Sequence, residues 1–303
     1  MNTMKKVHLI IFAAAAILAT GCNRLDIAGM VINRSDTEER VADWLDWTNQ
    51  NEPIVIDMPR NYCFFSCSDS HYSERDSIVP QGEKDRLYRY ITTMRNEPDA
   101  AFAIHAGDMV NESGEAGFRM TEEALRYNPN EQTWDRPCFL VIGNHDVYFD
   151  CAQYFKQYFH TSTYTVTVNA EGEKDLFIFL DSGNGTHGQR QTDWLEEQLS
   201  HRDEYRYCFV ISHNWLFRTF YNYTTTPAAN LPQDEQYAFM DLMSRCNVNM
   251  VIMGHFHQRE QRQFGGVPYI MTDNLNDSQV TPSYLVVNVS DKVTYEYREL
   301  TED

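Results

Sequence analysis

The chain has 303 residues, 42% of them hydrophobic, and a formal net charge of −19. That length and apolar share suffice for a sizeable core, as one large α/β domain or two small ones, and the lack of a Pro/Gly/Ser-rich linker favours one. So acidic a surface repels polyanions, which excludes nucleic acid as an expected partner because non-specific binding needs clustered Lys and Arg.

The N-terminus, residues 1–21, reads as a separate segment. Lys5 and Lys6 precede an apolar run from Val7 to Ala19 that is short for a bilayer span and has the form of a secretory signal. It ends in Leu18-Ala19-Thr20-Gly21-Cys22, which resembles a bacterial lipobox with Ala19 where Leu is the common choice. Cleavage before Cys22 would leave a lipid-bearing cysteine and a lipoprotein anchored to a membrane of the bacterial cell envelope. A plain secretory signal with an incidental Cys22 is the other reading. Loss of the leader removes two Lys and no acid, so the remainder is more acidic still.

Residues 22–60 read as a tether with a packing helix. Ser35-Asp36-Thr37-Glu38 has the form of a capping box, followed by Val41, Trp44, Leu45 and Thr48 on one helical face. Pro53 to Met58 is expected as a short strand or an extended lead into the first core strand. Residues 61–303 then read as the main domain. An apolar strand from Cys63 to Ser68 ends in Asp69-Ser70-His71, and a helix with Leu87, Tyr90, Ile91 and Met94 at helical spacing stops at Pro98. The strand from Ala101 to Ala106 ends in Gly107-Asp108, and a weaker helix runs from Phe118 to Tyr127. The central strand follows, starting at Cys138 and ending in Gly143-Asn144-His145-Asp146. Alternating strands and helices imply right-handed crossovers and a parallel sheet.

An aromatic helix (Tyr154, Phe155, Tyr158, Phe159) leads to the alternating segment Thr163 to Val168, which a turn at Asn169 to Lys174 pairs with Leu176 to Leu180 as antiparallel strands. The strand from Cys208 to Ser212 ends in His213, and Met250 to Met253 ends in Gly254-His255-Phe256-His257. Helices carry Trp194, Leu195 and Leu199, then Phe239, Leu242, Met243 and Cys246. The C-terminus reads as β: Val267 to Met271, Tyr284 to Val289, a Ser290-Asp291 turn, and Val293, Tyr295 and Tyr297 on one face. Two mixed sheets packed face to face with helices outside fit this order. Besides Cys22, Cys63, Cys67, Cys138, Cys151, Cys208 and Cys246 are even in number, as a disulfide-permissive compartment allows, but they lie mostly in core strands or on an apolar helix face. Buried thiols acting as small hydrophobes are expected rather than disulfides.

Five apolar strands thus deliver Asp, His and Asn to one rim, at the strand ends where α/β folds bind ligands. Each motif alone is weak, since a strand-end His is commonly a hydrogen-bonded structural residue; their order is what points to a site. His105 is expected as such a satisfied strand residue, and His8, His160, His187 and His201 have no motif around them.

In Asp69-x-His71, Gly107-Asp108, Gly143-Asn144-His145-Asp146, His213 and Gly254-His255-x-His257 the chain resembles the calcineurin-like metallophosphoesterase superfamily, over roughly Tyr62 to His257. The resemblance implies an α/β fold, a four-layer αββα sandwich of two mixed β-sheets flanked by helices. It also implies two divalent or mixed-valence metal ions. Asp69, His71 and His257 would hold one, Asn144, His213 and His255 the other, and Asp108 would bridge them. Carboxylates and imidazoles suit Mn, Fe or Zn, and the Asn carbonyl adds an oxygen without charge. Two such ions would share a hydroxide nucleophile and clamp the phosphoryl oxygens. His145 would contact phosphate and protonate the leaving oxygen as general acid. Many relatives carry Asp three residues after the Gly-Asp aspartate, where this chain has Asn111. An Asn carbonyl can hold the ring N–H but lacks the charge that raises the imidazole pKa, so His145 is expected to be a weaker base.

Leu180-Asp181-Ser182-Gly183, with Gln191 to Leu199, resembles the corresponding stretch of the cyclic-nucleotide phosphodiesterase branch, although it is not a catalytic signature. After His213, Trp215 to Arg218 and Phe220 to Pro227 form an aromatic and polar insert. Arg218, Tyr221 and Tyr223 are candidates to contact a phosphate or stack on a base; packing of the loop is the alternative. The expected activity is hydrolysis of a small phosphoester, with a lean towards a diester or nucleotide. A non-catalytic cell-surface module that keeps the fold to bind glycan or protein is the competing reading.

Overall fold

Strands that are apolar on both faces need cover on both, and the chain supplies it with two stacked sheets and outer helices. The structure, a computed structural model, describes residues 35–72, 86–111, 114–126, 136–217, 230–275 and 281–300. The strands are β1 (Ile54–Met58), β2 (Tyr62–Cys67), β3 (Ala100–His105), β4 (Cys138–Leu140), β5 (Tyr164–Ala170), β6 (Glu173–Phe179), β7 (Tyr207–Ile211), β8 (Met250–Met253), β9 (Glu260–Phe264), β10 (Val267–Met271), β11 (Ser283–Val289) and β12 (Val293–Glu299). The seven-stranded sheet runs β1-β5-β6-β7-β8-β10-β9, and the five-stranded sheet runs β12-β11-β2-β3-β4. The helices are α1 (Thr37–Gln50), α2 (Arg86–Asn96), α3 (Glu115–Arg126), α4 (Ala152–Phe159), α5 (Gly188–Ser200) and α6 (Gln233–Arg245). This is the αββα sandwich that the strand pattern implied.

Alternation along each strand sorts side chains into three cores. Between the sheets, Phe64 stacks on Phe102 (5.4 Å) and meets Phe177 and Phe209 edge-on at 5.1 and 5.2 Å. Phe65, the next residue, faces the opposite way and packs with Tyr90 of α2 and Tyr284. The outer face of the seven-stranded sheet is covered by Leu195 and Leu199 of α5 and by Phe239 and Met243 of α6. At the amino-terminal ends of β2, β6 and β7, the buried Asp175 carboxylate pairs with Arg206 at 2.6 Å and accepts from Tyr62 Oη at 2.9 Å. That end is closed by an ion pair, which leaves the opposite rim for chemistry.

Pro53 to Met58 does supply a short strand, β1, but it does not lead into the sheet of β2; it pairs parallel with β5, Ile54 opposite Val166, as the edge of the other sheet. The capping residue of α1 is Asp36, which accepts from the N–H groups of Glu38 and Glu39, while the Glu38 carboxylate reaches Arg190 N at 3.1 Å instead of closing a box. β9 was not expected, because Glu260-Gln261-Arg262-Gln263-Phe264 has no apolar alternation; its pairing with β10 holds it as an exposed edge. The six cysteines among the described residues are free thiols, as burial in the strands implied. Among the described residues no helix is long and apolar enough to cross a membrane. The leader and Cys22 lie outside the described residues, as do Arg218, Phe220, Tyr221 and Tyr223.

Candidate metal centre

The five strand ends converge as the sequence pattern requires, and they do so through backbone turns that the residue types alone do not announce. Asp69, His71, Asp108, His255 and His257 have φ values of 55°, 48°, 56°, 87° and 54°. Non-glycine residues rarely occupy this left-handed region, at a cost of about 1–3 kcal/mol each, and such residues gather at functional sites.

The carboxylate of Asp146 holds these turns. It accepts from Gly143 N at 2.8 Å, Asp108 N at 2.9 Å, Met109 N at 2.9 Å and Val110 N at 3.0 Å, and so ties the β3 turn to the β4 turn. Burial and the neighbouring Asp108 push the Asp146 pKa up to about 7, against the pull of the N–H groups of Gly143 and Val110. Gly143 is required by space: a Cβ there would collide with the carboxylate and N of Asp108. No role for Asp146 was read from the sequence. The same holds for Tyr148, whose hydroxyl accepts from Asn144 Nδ2 at 2.9 Å and so turns the Asn144 carbonyl oxygen into the site.

Two groups of ligand-type atoms result, each drawn from both sheets. In the first, Asp69 Oδ1 lies 3.3 Å from His257 Nε2 and 3.7 Å from His71 Nε2. In the second, Asn144 Oδ1 lies 2.7 Å from His255 Nδ1 and 3.1 Å from His213 Nε2. Asp108 Oδ2 stands between them, 3.2 Å from His213 Nε2 and 4.0 Å from His71 Nε2. Candidate ligand atoms of Asp69, His71 and His257 lie within 4.8 Å of one another, as do those of Asp108, His213 and His255, and those of His71, Asp108 and His145.

The fit to cations is visible in the polar groups themselves. Asp69 Oδ1 is buried without a hydrogen-bond partner, and the Nε2 atoms of His71 and His257 approach to 2.9 Å. A buried acceptor lacking a donor, beside two converging imidazole nitrogens, is what a cation ligated by both would resolve. The second group is likewise oriented from behind. His213 Nδ1–H donates to Ala106 O at 2.8 Å, which leaves Nε2 facing inward.

The electrostatics follow from burial and neighbours. Burial would raise both aspartates, but the His257 and His71 imidazoles hold Asp69 well below the usual carboxylate range, and His213 and His145 do the same for Asp108. His213 is pushed up to about 9 because the Asp108 carboxylate outweighs desolvation. His255 is pushed down to about 3 by burial and by the charge of His213.

His145 is half-buried at the mouth, its ring edge-on to His71 at 4.7 Å. Its Nδ1–H donates to the main-chain carbonyl of Asn111 at 2.9 Å. The expectation that the Asn111 side chain holds the ring is therefore corrected: any residue at 111 offers that oxygen, and the Asn111 side chain is exposed. His105 is buried with Nε2 on Ser70 Oγ at 2.9 Å and its Nδ1 unpartnered, so it is a half-satisfied strand residue. At the start of the insert, Trp215 and Leu216 are buried in the outer core of the seven-stranded sheet, so this part packs rather than lines the mouth.

Residues 64–259 match the family described as calcineurin-like phosphoesterase. No curated protein matches the chain. Among solved structures, Plasmodium GAP50, described as the anchor in the inner membrane complex, has a TM-score of 0.61 at 14% identity, covering 80% of this chain and 85% of that one. A dimetal phosphatase from Danio rerio has a TM-score of 0.60 at 11% identity, with 81% and 98% covered. A purple acid phosphatase from yellow lupin seeds has a TM-score of 0.58 at 13% identity, with 81% of this chain and 52% of that chain covered. At these identities the likeness is one of fold.

The charge distribution makes ion uptake pH-dependent. With its pKa near 9, His213 carries a proton at neutral pH that an ion must displace to reach Nε2. Calorimetric titration with Mn²⁺ or Zn²⁺ at neutral pH, in buffers of different ionisation enthalpy, is expected to report release of about one proton for the ion entering this group. The release should fade as pH rises through about 9, where His213 is already neutral. Heats independent of the buffer would contradict the assignment.

Proposed function

The chain belongs to the calcineurin-like phosphoesterase family, and on that footing we propose that it is a metal-dependent hydrolase of small phosphoesters built around Asp108. The observation that carries this reading is the position of Asp108 Oδ2, within reach of an imidazole from each ligand group. Asp69, His71 and His257 would hold one ion, and Asn144, His213 and His255 the other. When bound, the two ions supply Lewis acidity and a nucleophilic water for in-line attack on phosphorus. The protein's own part is orientation. Ala106 and Tyr148 fix which atoms of His213 and Asn144 face inward. His145, with Nδ1–H committed to Asn111 O, keeps Nε2 as the atom that delivers a proton to the leaving oxygen.

Because the same fold occurs in a protein described as an anchor, fold alone does not give activity; the complete ligand set is what favours catalysis over a non-catalytic surface module. The acidic chain offers no basic track for a polymeric phosphate backbone, which supports a small substrate. Lipid anchoring through Cys22 belongs to the same reading, supported by Lys5-Lys6, the apolar run and Gly21-Cys22.

The deciding experiment measures metal content and turnover together, on p-nitrophenyl phosphate, its bis-ester and a cyclic nucleotide. The wild type is expected to hold two ions and turn over at least one substrate, and Asp108→Ala to hold fewer ions than His71→Ala with almost no turnover. Equal metal and activity in the wild type and Asp108→Ala would remove the bridging role. His145→Ala should slow alkyl phosphoesters by about 10²–10⁴-fold and p-nitrophenyl esters much less, since that leaving oxygen hardly needs a proton. A uniform loss would make His145 a phosphate-positioning group instead. For the anchor, Cys22→Ser should shift the protein out of the membrane fraction or leave it uncleaved; a cleaved variant that stays membrane-bound refutes it.

A further inference from the structure

The family match begins at residue 64, yet α1 lies before it and is wired into the rim. Arg40 and Trp44 of α1 both grip Asp181, 141 and 137 residues later: Arg40 Nε donates to Oδ2 at 2.6 Å, Arg40 Nη2 to Oδ1 at 3.1 Å, and Trp44 Nε1 to Oδ2 at 2.9 Å. All three side chains are buried, and the Arg40 guanidinium holds the Asp181 carboxyl below its usual range against desolvation. The segment that follows Asp181 touches the second ligand group at His213 and packs against the backbone beside Asn144. Ser182 Oγ accepts from the backbone N–H of His213 at 3.2 Å and of Asn214 at 3.1 Å. Gly183, whose N–H donates to Asp181 Oδ1 at 2.9 Å, packs so closely that a Cβ there would press on Gly143 O and Val147 Cγ1, on either side of Asn144 and His145. Asn184 Nδ2 returns to the residues just before α1, donating to Ser35 O at 2.8 Å.

We infer that Arg40, Trp44 and Asp181 are positioning residues for the Asn144–His213–His255 group, so that α1 selectively sets the second of the two metal positions. The inference rests on the functional reading above and goes beyond it in one respect. The contacts above lead from α1 and residues 181–184 to His213, Asn214 and the backbone on either side of Asn144, so loosening the clamp should weaken the ion of that group more than the other. A purely structural ion pair would lower stability without that selectivity. Outer contacts that orient metal ligands typically account for about 10–100-fold in affinity.

The test uses the full-length protein and equilibrium dialysis against Mn²⁺ or Zn²⁺. Arg40→Ala and Asp181→Asn are expected to keep one tight ion and bind the second at least about tenfold more weakly, with Arg40→Lys recovering part of the loss. Hydrogen exchange of the metal-free protein gives an independent reading: the amides of His213 and Asn214 should lose protection in Arg40→Ala. If Arg40→Ala does not fold, Trp44→Phe, which removes one donor to Asp181 and keeps an aromatic ring, carries the same expectation. Arg206→Lys, at the buried pair on the far end of the sandwich, is the control and should leave both ions in place. Two ions bound with wild-type affinity in Arg40→Ala or Trp44→Phe overturn the inference alone, as does equal weakening of both ions, or second-ion loss in Arg206→Lys. A wild type that takes up fewer than two ions overturns the functional reading and the inference with it.

Discussion

One buried carboxylate gathers four backbone N–H groups, and the rim is built outward from it. Asp146 is fully buried, and its two oxygens pin Gly143 on one side and Asp108, Met109 and Val110 on the other. A helix N-terminus would satisfy a carboxylate in a similar way, but here the donors come from two different turns, so the bonds fix the turns against each other. Asp108 can then sit with one oxygen on the backbone of His145 at 2.7 Å and the other between the imidazole groups. Charge completes the arrangement. Two ionised aspartates lie among five imidazoles, of which His213 is drawn towards protonation and His255 away from it. In the metal-free site His213, drawn towards protonation beside Asp108, is the imidazole whose proton an entering ion must displace.

Such a site needs a scaffold that does not yield, because five of its residues hold left-handed backbone. The aromatic core between the sheets and the Asp175–Arg206–Tyr62 cluster at the far end supply rigidity without entering the rim. The acidic balance of the chain is compatible with an anionic substrate only because positive charge would be concentrated at a few points.

The strands, their parallel order and the convergence of Asp69, His71, Asp108, Asn144, His213, His255 and His257 were legible because each rests on local pattern: an apolar run, then a polar tip at its end. What escaped was set by tertiary contact. β1 has the composition of a strand, but nothing within Ile54–Met58 states which sheet will take it. β9 is polar and is held only by its partner. The bond to His145 comes from a main-chain carbonyl, so the identity of Asn111 carried no information about it. Arg40 and Asp181 are 141 residues apart, and each looks like an ordinary charge on its own segment. Asp146 and Tyr148 stood within or beside the strongest motif and still had no assignable role, because their partners are backbone amides and a side-chain amide.

Each ligand group draws on both sheets, and this gives bound ions a mechanical meaning. An ion between His71 and His257 would join residues 186 apart in the chain, across the seam between two separately hydrogen-bonded layers. Unlike a disulfide, which restricts the unfolded chain, such an ion would hold the two layers together by binding the folded state alone. The six described cysteines form no such link. Ions at this rim would therefore act as cross-links whose persistence depends on free metal concentration and pH rather than on redox potential.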